Sequence, residues 1–231
     1  MATLLELSEI ANNYRSDKGT LFGHAHGYTS LYSFLFEQFR NDRFSMLEIG
    51  LEQGGVEAGA SADRETTGVP SINMWLEYFP NSTLFGFDIS DFSKFTSDRF
   101  QFFRGDLSLV GDMERLKKSL PPLRIIVDDA SHASFHQQLA FYMLFETVES
   151  GGYYVIEDFH WQPPFEHELP TCQKTIGVFE QFLNAKTLNI PFGDRFRLQD
   201  IANAIAEVYI HRSNKGGVSD WQTKMIALRK K

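Results

Sequence analysis

The chain has 231 residues, 42% of them hydrophobic and 23% charged, with a net charge of −8 at pH 7. That is a globular composition, long enough for one large domain, and its negative balance argues against the basic field that non-specific nucleic-acid binding needs. The lone cysteine, Cys172, excludes an internal disulfide and suits a cytoplasmic setting, and neither a membrane-spanning run nor a basic-then-apolar leader is readable.

Residues 2–14 predict a helix with Leu4, Leu5, Ile10 and Tyr14 towards the core. The segment SDKGT (16–20) ends it and leads into a His/Gly-rich loop, LFGHAHGY, before residues 29–40 return to helical spacing. This N-terminal helical segment, about 1–43, is expected to belong to a single domain spanning the chain. Phe44 to Gly50 is a short apolar strand closed by glycine. Residues 52–70 are polar, carry no hydrophobic period and are expected to form a mobile loop that could serve as a lid. Ser71 to Phe79 predicts a helix with Ser71 as N-cap and Ile72, Trp75, Leu76 and Phe79 on one face.

Thr83 to Ile89 reads as the second strand, ending at Asp88, and residues 100–103 as the third, just before Gly105-Asp106. A helix over 112–120 stops at Pro121-Pro122. The fourth strand lies in RIIVDDASH (124–132), and an amphipathic helix follows over 134–148. Gly151-Gly152 turns the chain into the fifth strand, Tyr153 to Ile156, which ends at Glu157-Asp158. Beyond it, 173–188 has helical spacing, FRLQDIANAIAEVYIHRS mixes helical and strand character, and MIALRKK resembles an edge strand with a basic tail. Alternating strands and helices predict an α/β fold, a mainly parallel sheet with helices on both faces.

All five readable strands end in or beside an acid: Glu48, Asp88, Asp106, Asp128-Asp129 and Glu157-Asp158. A single acid there is ordinarily a helix cap, but ligands of open α/β sheets bind at this edge, and five acids on it point to a polar ligand site. Asp88 stands where a carboxylate would accept both ribose hydroxyls. No G-x-G-x-x-G turn follows the first strand, and Glu48 and Glu52 would repel a pyrophosphate, so a phosphate-free cationic cofactor, S-adenosylmethionine, fits better than a dinucleotide. Asp129, Glu157 and Asp158 offer hard oxygen ligands for Mg²⁺, or for Mn²⁺ or Ca²⁺; the alternative is that they face solvent or pair with Lys and Arg. His132, three residues past Asp129, is the candidate general base, since an imidazole titrates near neutrality. His136 lies inside the next helix and is a weaker candidate, and His160 follows the last acid pair at the substrate mouth.

The motifs SDKGT, HGY (26–28), LEIG (47–50), MWLEYFP (74–80), FGFDI (85–89), RGD (104–106), VDDASH (127–132) and YVIEDF (154–159) occur in that order. Over residues 14–165 the chain thereby resembles the metal-dependent sugar O-methyltransferases of macrolide biosynthesis, of the macrocin and mycinamicin types. The resemblance implies a Rossmann-like class I methyltransferase fold, with Asp129, Glu157 and Asp158 as Mg²⁺ ligands and His132 as general base. It further implies that Glu48, Asp88, Asp106 and Asp128 line the cofactor site and that Asp17 and Lys18 close over its methionine end. Gly50 and Ser71 complete the cofactor-site candidates. Ala130 stands where the family has glycine, and Leu107-Ser108-Leu109 where it tends to have Gln-Ser-Asp. The expected partner is a small-molecule acceptor, a sugar or other diol-containing natural product, with neither nucleic acid nor membrane involved. The abundance of Phe, 22 residues, makes a homo-oligomer expected as well. Other readings at this level are an antibiotic-tailoring enzyme with hydroxylase- or decarboxylase-like chemistry and a non-catalytic cofactor-binding protein.

Overall fold

The computed structural model describes residues 6–214 and 220–231; Leu4 and Leu5 of the expected first helix lie outside the described residues. One sheet is built from β1 (Ser45–Ile49), β2 (Thr83–Asp88), β3 (Phe100–Arg104), β4 (Leu123–Asp128), β5 (Val148–Ile156), β6 (Ile205–Ser213) and β7 (Gln222–Lys230). Their spatial order is β3-β2-β1-β4-β5-β7-β6. β1 to β5 are parallel, whereas β7 runs antiparallel to β5 and β6 antiparallel to β7.

Successive strand residues face opposite sides. In β4, Ile125 and Val127 enter one apolar cluster and Ile126 enters the other. Helices α1 (Leu7–Asn13), α2 (Thr29–Phe36) and α3 (Pro70–Tyr78) cover the first face, and α4 (Val110–Ser119), α5 (Ser134–Leu144), α6 (Thr175–Ala185) and α7 (Arg195–Ala204) the second. Burial on both faces is why the central strands read as nearly continuous apolar runs. The strand order reverses between β1 and β4, and a crevice opens there beyond their carboxyl ends.

Several local expectations change in the folded chain. α3 begins at Pro70, with Val69 at the N-cap, so Ser71 is not the cap. Proline's fixed φ and missing N–H suit the first helical turn, where that N–H would have no partner. α5 is not amphipathic: His136, Gln137 and Gln138 are buried together with Leu139 and Phe141, because the sheet lies on one side and α6 on the other. The amide nitrogens on this helix find internal acceptors, Gln137 Nε2 donating to the Glu157 carbonyl at 3.1 Å and Gln138 Nε2 to the Gln173 carbonyl at 2.5 Å. β5 begins at Val148 and passes through the glycine pair; Gly151 has φ 78° and the pairing with β4 shifts register here, which makes the pair an irregularity within the strand.

The C-terminal strand is not an edge. β7 lies between β5 and β6 with Met225 to Leu228 fully buried, and β6 takes the edge. Its basic tail is used: Lys230 Nζ donates to the carbonyls of Glu146 and Val148 at 2.8 and 2.6 Å. The 52–70 stretch is tied down by side chains: Arg64 donates to the Gly54 carbonyl at 3.1 Å and to Ser90 Oγ at 3.2 Å, and Thr66 Oγ1 donates to Glu52 at 2.8 Å.

Candidate functional site

A cavity of about 1270 Å³ opens at the carboxyl ends of β1 to β5. Gly50 leaves β1 there with φ +83°, and a Cβ on it would sit 2.3 Å from the Asp129 carbonyl oxygen. Only glycine lets the two chain segments approach this closely at the point of strand-order reversal. Asp88, at the end of β2, accepts the Leu51 N–H at 2.9 Å and the Ser90 N–H at 2.7 Å, which fixes its carboxylate at the cavity wall. Asp106, after β3, likewise accepts the Ser108 N–H at 2.7 Å. Asp17, Lys18, Gly50, Ser71, Asp88 and Asp106 all line the cavity.

Glu48 and Asp128 do not line it; both are buried beneath its floor. Burial pushes the Glu48 carboxyl up to about 7 against the pull of Lys18, and pushes Asp128 up to about 8 against the Ala130 N–H. Tyr154 Oη lies 3.4 Å from Asp128.

The acids after β4 and β5 meet the N-terminal segment. Lys18, fully buried, reaches Asp129, Glu157 at 3.0 Å and Glu48 at 3.4 Å. Burial opposes its charge, but Asp129, Glu157 and Glu48 outweigh that and hold the ammonium well above its usual value. Tyr32 donates to the second oxygen of Glu157, and Tyr28 donates to Asp158. Burial and then the neighbouring Asp129 raise Glu157 well above the carboxylate range. Burial also works to raise Asp158, yet the imidazoles of His132 and His26 and the Tyr28 hydroxyl outweigh it and hold it low.

Ligand atoms of Asp129, His132 and Asp158 all lie within 4.8 Å of one another. Two carboxylates and an imidazole in that space, beside further buried acids, make a donor set that fits a hard divalent cation. Glu157 stands just behind, its oxygens engaged by Lys18 and Tyr32.

His132 and Asp158 share an uncommon backbone: φ is 61° and 54°, in the left-handed region that non-glycine residues seldom occupy. Such conformations persist where the surrounding structure imposes them, and they concentrate at functional sites. His132 Nε2 lies 3.9 Å from Asp158 Oδ2, and its ring meets Trp161 edge-on at 5.4 Å. Gln162 Nε2 donates to the His132 carbonyl at 3.1 Å, which secures the loop. His160 lines the cavity with Nδ1 3.6 Å from Asp158 Oδ1, and burial pushes its imidazole down to about 4. His136 is held between Ser108 and Ser131, the latter in the loop that carries Asp129 and His132.

Sequence reasoning missed Tyr28, Tyr32 and His26 as site residues. His26 stacks on Tyr28 at 4.8 Å and places Nδ1 3.8 Å from Asp158. A signal was present: Tyr28 and Tyr32 are four residues apart at the start of a helix, so they project side by side. Their partners, 130 and 125 residues away, were not legible. Lys224 was missed too; its ammonium is buried beside Asp158, without a hydrogen bond among the described residues.

No family model matches the chain. It is 34% identical over 186 residues to mycinamicin VI 2''-O-methyltransferase of Micromonospora griseorubida, covering 78% of this chain and 44% of that protein. It is 33% identical over 153 residues to demethylmacrocin O-methyltransferase of Streptomyces fradiae, covering 66% of this chain and 36% of that one. A structure of the MycE methyltransferase of the mycinamycin pathway, in complex with Mg, SAH and mycinamycin VI, superposes with a TM-score of 0.71 at 25% identity. That match covers 98% of this chain and 54% of the other. The chain thus spans about half or less of the length of these relatives. Among the described residues no helix is long and apolar enough to cross a membrane.

Proposed function

Because the chain is related to the macrolide sugar O-methyltransferases of the mycinamicin and macrocin type and has their Rossmann-like class I fold, we propose that it methylates a hydroxyl of a sugar or other small natural-product diol, using S-adenosylmethionine and Mg²⁺. The observation that carries this reading is the meeting of Asp129, His132 and Asp158 within 4.8 Å, at the wall of the cavity that Asp88 also lines.

S-adenosylmethionine, when bound, supplies a methyl group on a cationic sulfur, and the divalent cation supplies Lewis acidity at the acceptor oxygen. Asp129 and Asp158 would hold the cation, Glu157 would join them only by giving up Lys18 or Tyr32, which engage its two oxygens, and Asp88 would accept the ribose hydroxyls. Asp17, Lys18, Gly50, Ser71 and Asp106 line the same cavity and support the reading of a cofactor site there. Glu48 and Asp128 act from beneath, Glu48 by balancing Lys18. His132 takes the proton of the acceptor hydroxyl. Asp158 Oδ2 stands 3.9 Å from His132 Nε2. Trp161 and the tethered 52–70 stretch border the cavity and restrict water.

The same reading takes the described residues as one methyltransferase unit acting in the cytoplasm on a small molecule. The net charge of −8 supports leaving nucleic acid out. Exposed Phe34, Phe196 and Trp221 support a homo-oligomer.

The test is calorimetric titration of S-adenosylhomocysteine into metal-stripped protein, repeated with Mg²⁺ and with Mg²⁺ plus a sugar diol. Nucleoside binding, with diol binding only when Mg²⁺ is present, is the expected result. Absence of nucleoside binding under every condition would overturn the proposal.

A further inference from the structure

Trp161 is set apart from the packed aromatic rings of the fold. Trp75 is fully buried among Tyr32, Phe36 and Phe79. Trp161 is 38% exposed and lines the cavity, and among the described residues its one ring neighbour is His132. Aromatic packing therefore does not account for this indole. Phe165 and Leu169, from the same segment after β5, add apolar wall to the cavity.

Hydrogen bonds fix its place. The Trp161 N–H donates to the Asp158 carbonyl at 3.2 Å. Gln162 Nε2 donates to the Trp161 and His132 carbonyls at 2.8 and 3.1 Å, and Gln162 Oε1 accepts from the N–H and the hydroxyl of Ser134 at 3.1 and 2.9 Å. One amide thus ties the backbone of Trp161 to that of His132 and to the start of α5. The indole and imidazole planes stand at 76° with centroids 5.4 Å apart, and Asp158 Oδ2 is 3.9 Å from His132 Nε2. A flat apolar surface is thereby held beside the residues assigned to the cation and to proton removal.

An indole face takes up C–H surface from water. A pyranose ring offers such a surface on a face without axial hydroxyls. With that face on the indole, the equatorial hydroxyls project sideways in the plane of the sugar, where groups standing beside the indole reach them. We propose that Trp161 is the platform for the acceptor ring and selects a pyranoside whose stacked face carries only C–H bonds. An axial hydroxyl on that face would lose its water against the indole and find no acceptor there, which costs affinity. The assignment rests on the methyltransferase reading above and adds to it the acceptor class and the face presented.

The experiment is acceptor binding in the presence of S-adenosylhomocysteine and Mg²⁺, read by calorimetry and by tryptophan fluorescence, for wild type, Trp161→Phe and Trp161→Ala. The probes are methyl 6-deoxyhexopyranosides that differ in the configuration of one hydroxyl, and catechol. Wild type should prefer one epimer roughly 10-fold, and its binding should change the fluorescence; Trp75 and Trp221 do not line the cavity. Trp161→Ala should weaken the preferred epimer roughly 10-fold and the other by less than about twofold, so that the preference collapses. Trp161→Phe, which keeps a ring, should bind within about threefold of wild type with the fluorescence change lost. An unchanged preference in Trp161→Ala, or a fluorescence change that persists in Trp161→Phe, overturns the platform. Catechol bound more tightly than every pyranoside overturns the acceptor class. Wild type that binds S-adenosylhomocysteine and none of the sugars overturns the assignment alone. Wild type that binds no S-adenosylhomocysteine overturns the methyltransferase reading and this assignment with it.

Discussion

Tyr28 donates a hydrogen bond to Asp158, which joins the residue before α2 to the carboxylate just past β5. Both side chains are buried. Removing the hydroxyl leaves a buried carboxylate short of a donor, at a cost of about 1–3 kcal/mol. Tyr28→Phe is therefore expected to lower the denaturant midpoint of the metal-stripped protein. An unchanged midpoint would show that Asp158 does not depend on this bond.

His132 faces the cavity and has Asp158 behind it. In the proposed role of general base it would contribute to the proton-transfer step and not to nucleoside binding. His132→Ala should lower turnover by roughly two to four decades while S-adenosylhomocysteine affinity stays within about twofold. Parallel loss of both would contradict the assignment.

Lys18 is the ammonium shared by Asp129, Glu157 and Glu48. Lys18→Met keeps most of the side-chain volume and leaves the acids without it. Breaking a buried ion pair from one side typically costs ~3–5 kcal/mol. The variant should unfold at lower denaturant, and added Mg²⁺ should recover part of the loss by binding the uncompensated acids. A variant as stable as wild type without metal would mean that these acids are neutral in the folded chain.

Gly50→Ala tests the close approach of β1 to the loop after β4. The φ of +83° disfavours any side chain, and the new Cβ would collide with the Asp129 carbonyl. Destabilisation of about 2 kcal/mol or more is expected, together with weaker Mg²⁺ binding as Asp129 is displaced. Calorimetry and thermal unfolding read the two effects separately, and normal values of both would show that the loop yields without cost.

His136 supplies a pH dependence. Burial pushes its imidazole down to about 4, from about 6.5 for a free side chain. Between these the unfolded chain takes up a proton that the folded chain does not, so the contribution is complete above about pH 6.5 and is lost as pH falls towards 4. A shift of this size is worth up to ~3 kcal/mol. Denaturant unfolding at pH 7.5 and 4.5 should show a smaller acid loss for His136→Gln than for wild type. Equal losses would mean that the imidazole is protonated inside the fold.

The parallel core of the sheet was legible from the chain because local pattern and global position agree there. A strand buried on both faces must be apolar throughout, and Ile125, Ile126 and Val127 show it. The acids at the strand ends were legible for the same reason, since each is adjacent in sequence to the strand that carries it. Where local pattern and packing disagree, the reading failed. Gln137 and Gln138 look like a solvent face until α6 is laid over them. MIALRKK looks like an edge until β6 returns beside it. Ser71 looks like a cap until Pro70 starts the helix one residue earlier.

By itself the sequence determined that Asp88, Asp106, Asp129, Glu157 and Asp158 stand at one edge of one sheet, because parallel strands joined by right-handed crossovers all point the same way. Only the tertiary structure decided which partner each acid meets. Lys18, Tyr28 and Tyr32 come from a segment more than a hundred residues earlier and are brought to Asp129, Asp158 and Glu157 when α2 packs on the sheet. A charge or hydroxyl in a loop carries no mark of its distant partner. Its role is set by burial, which raises the cost of leaving any of these groups unpaired.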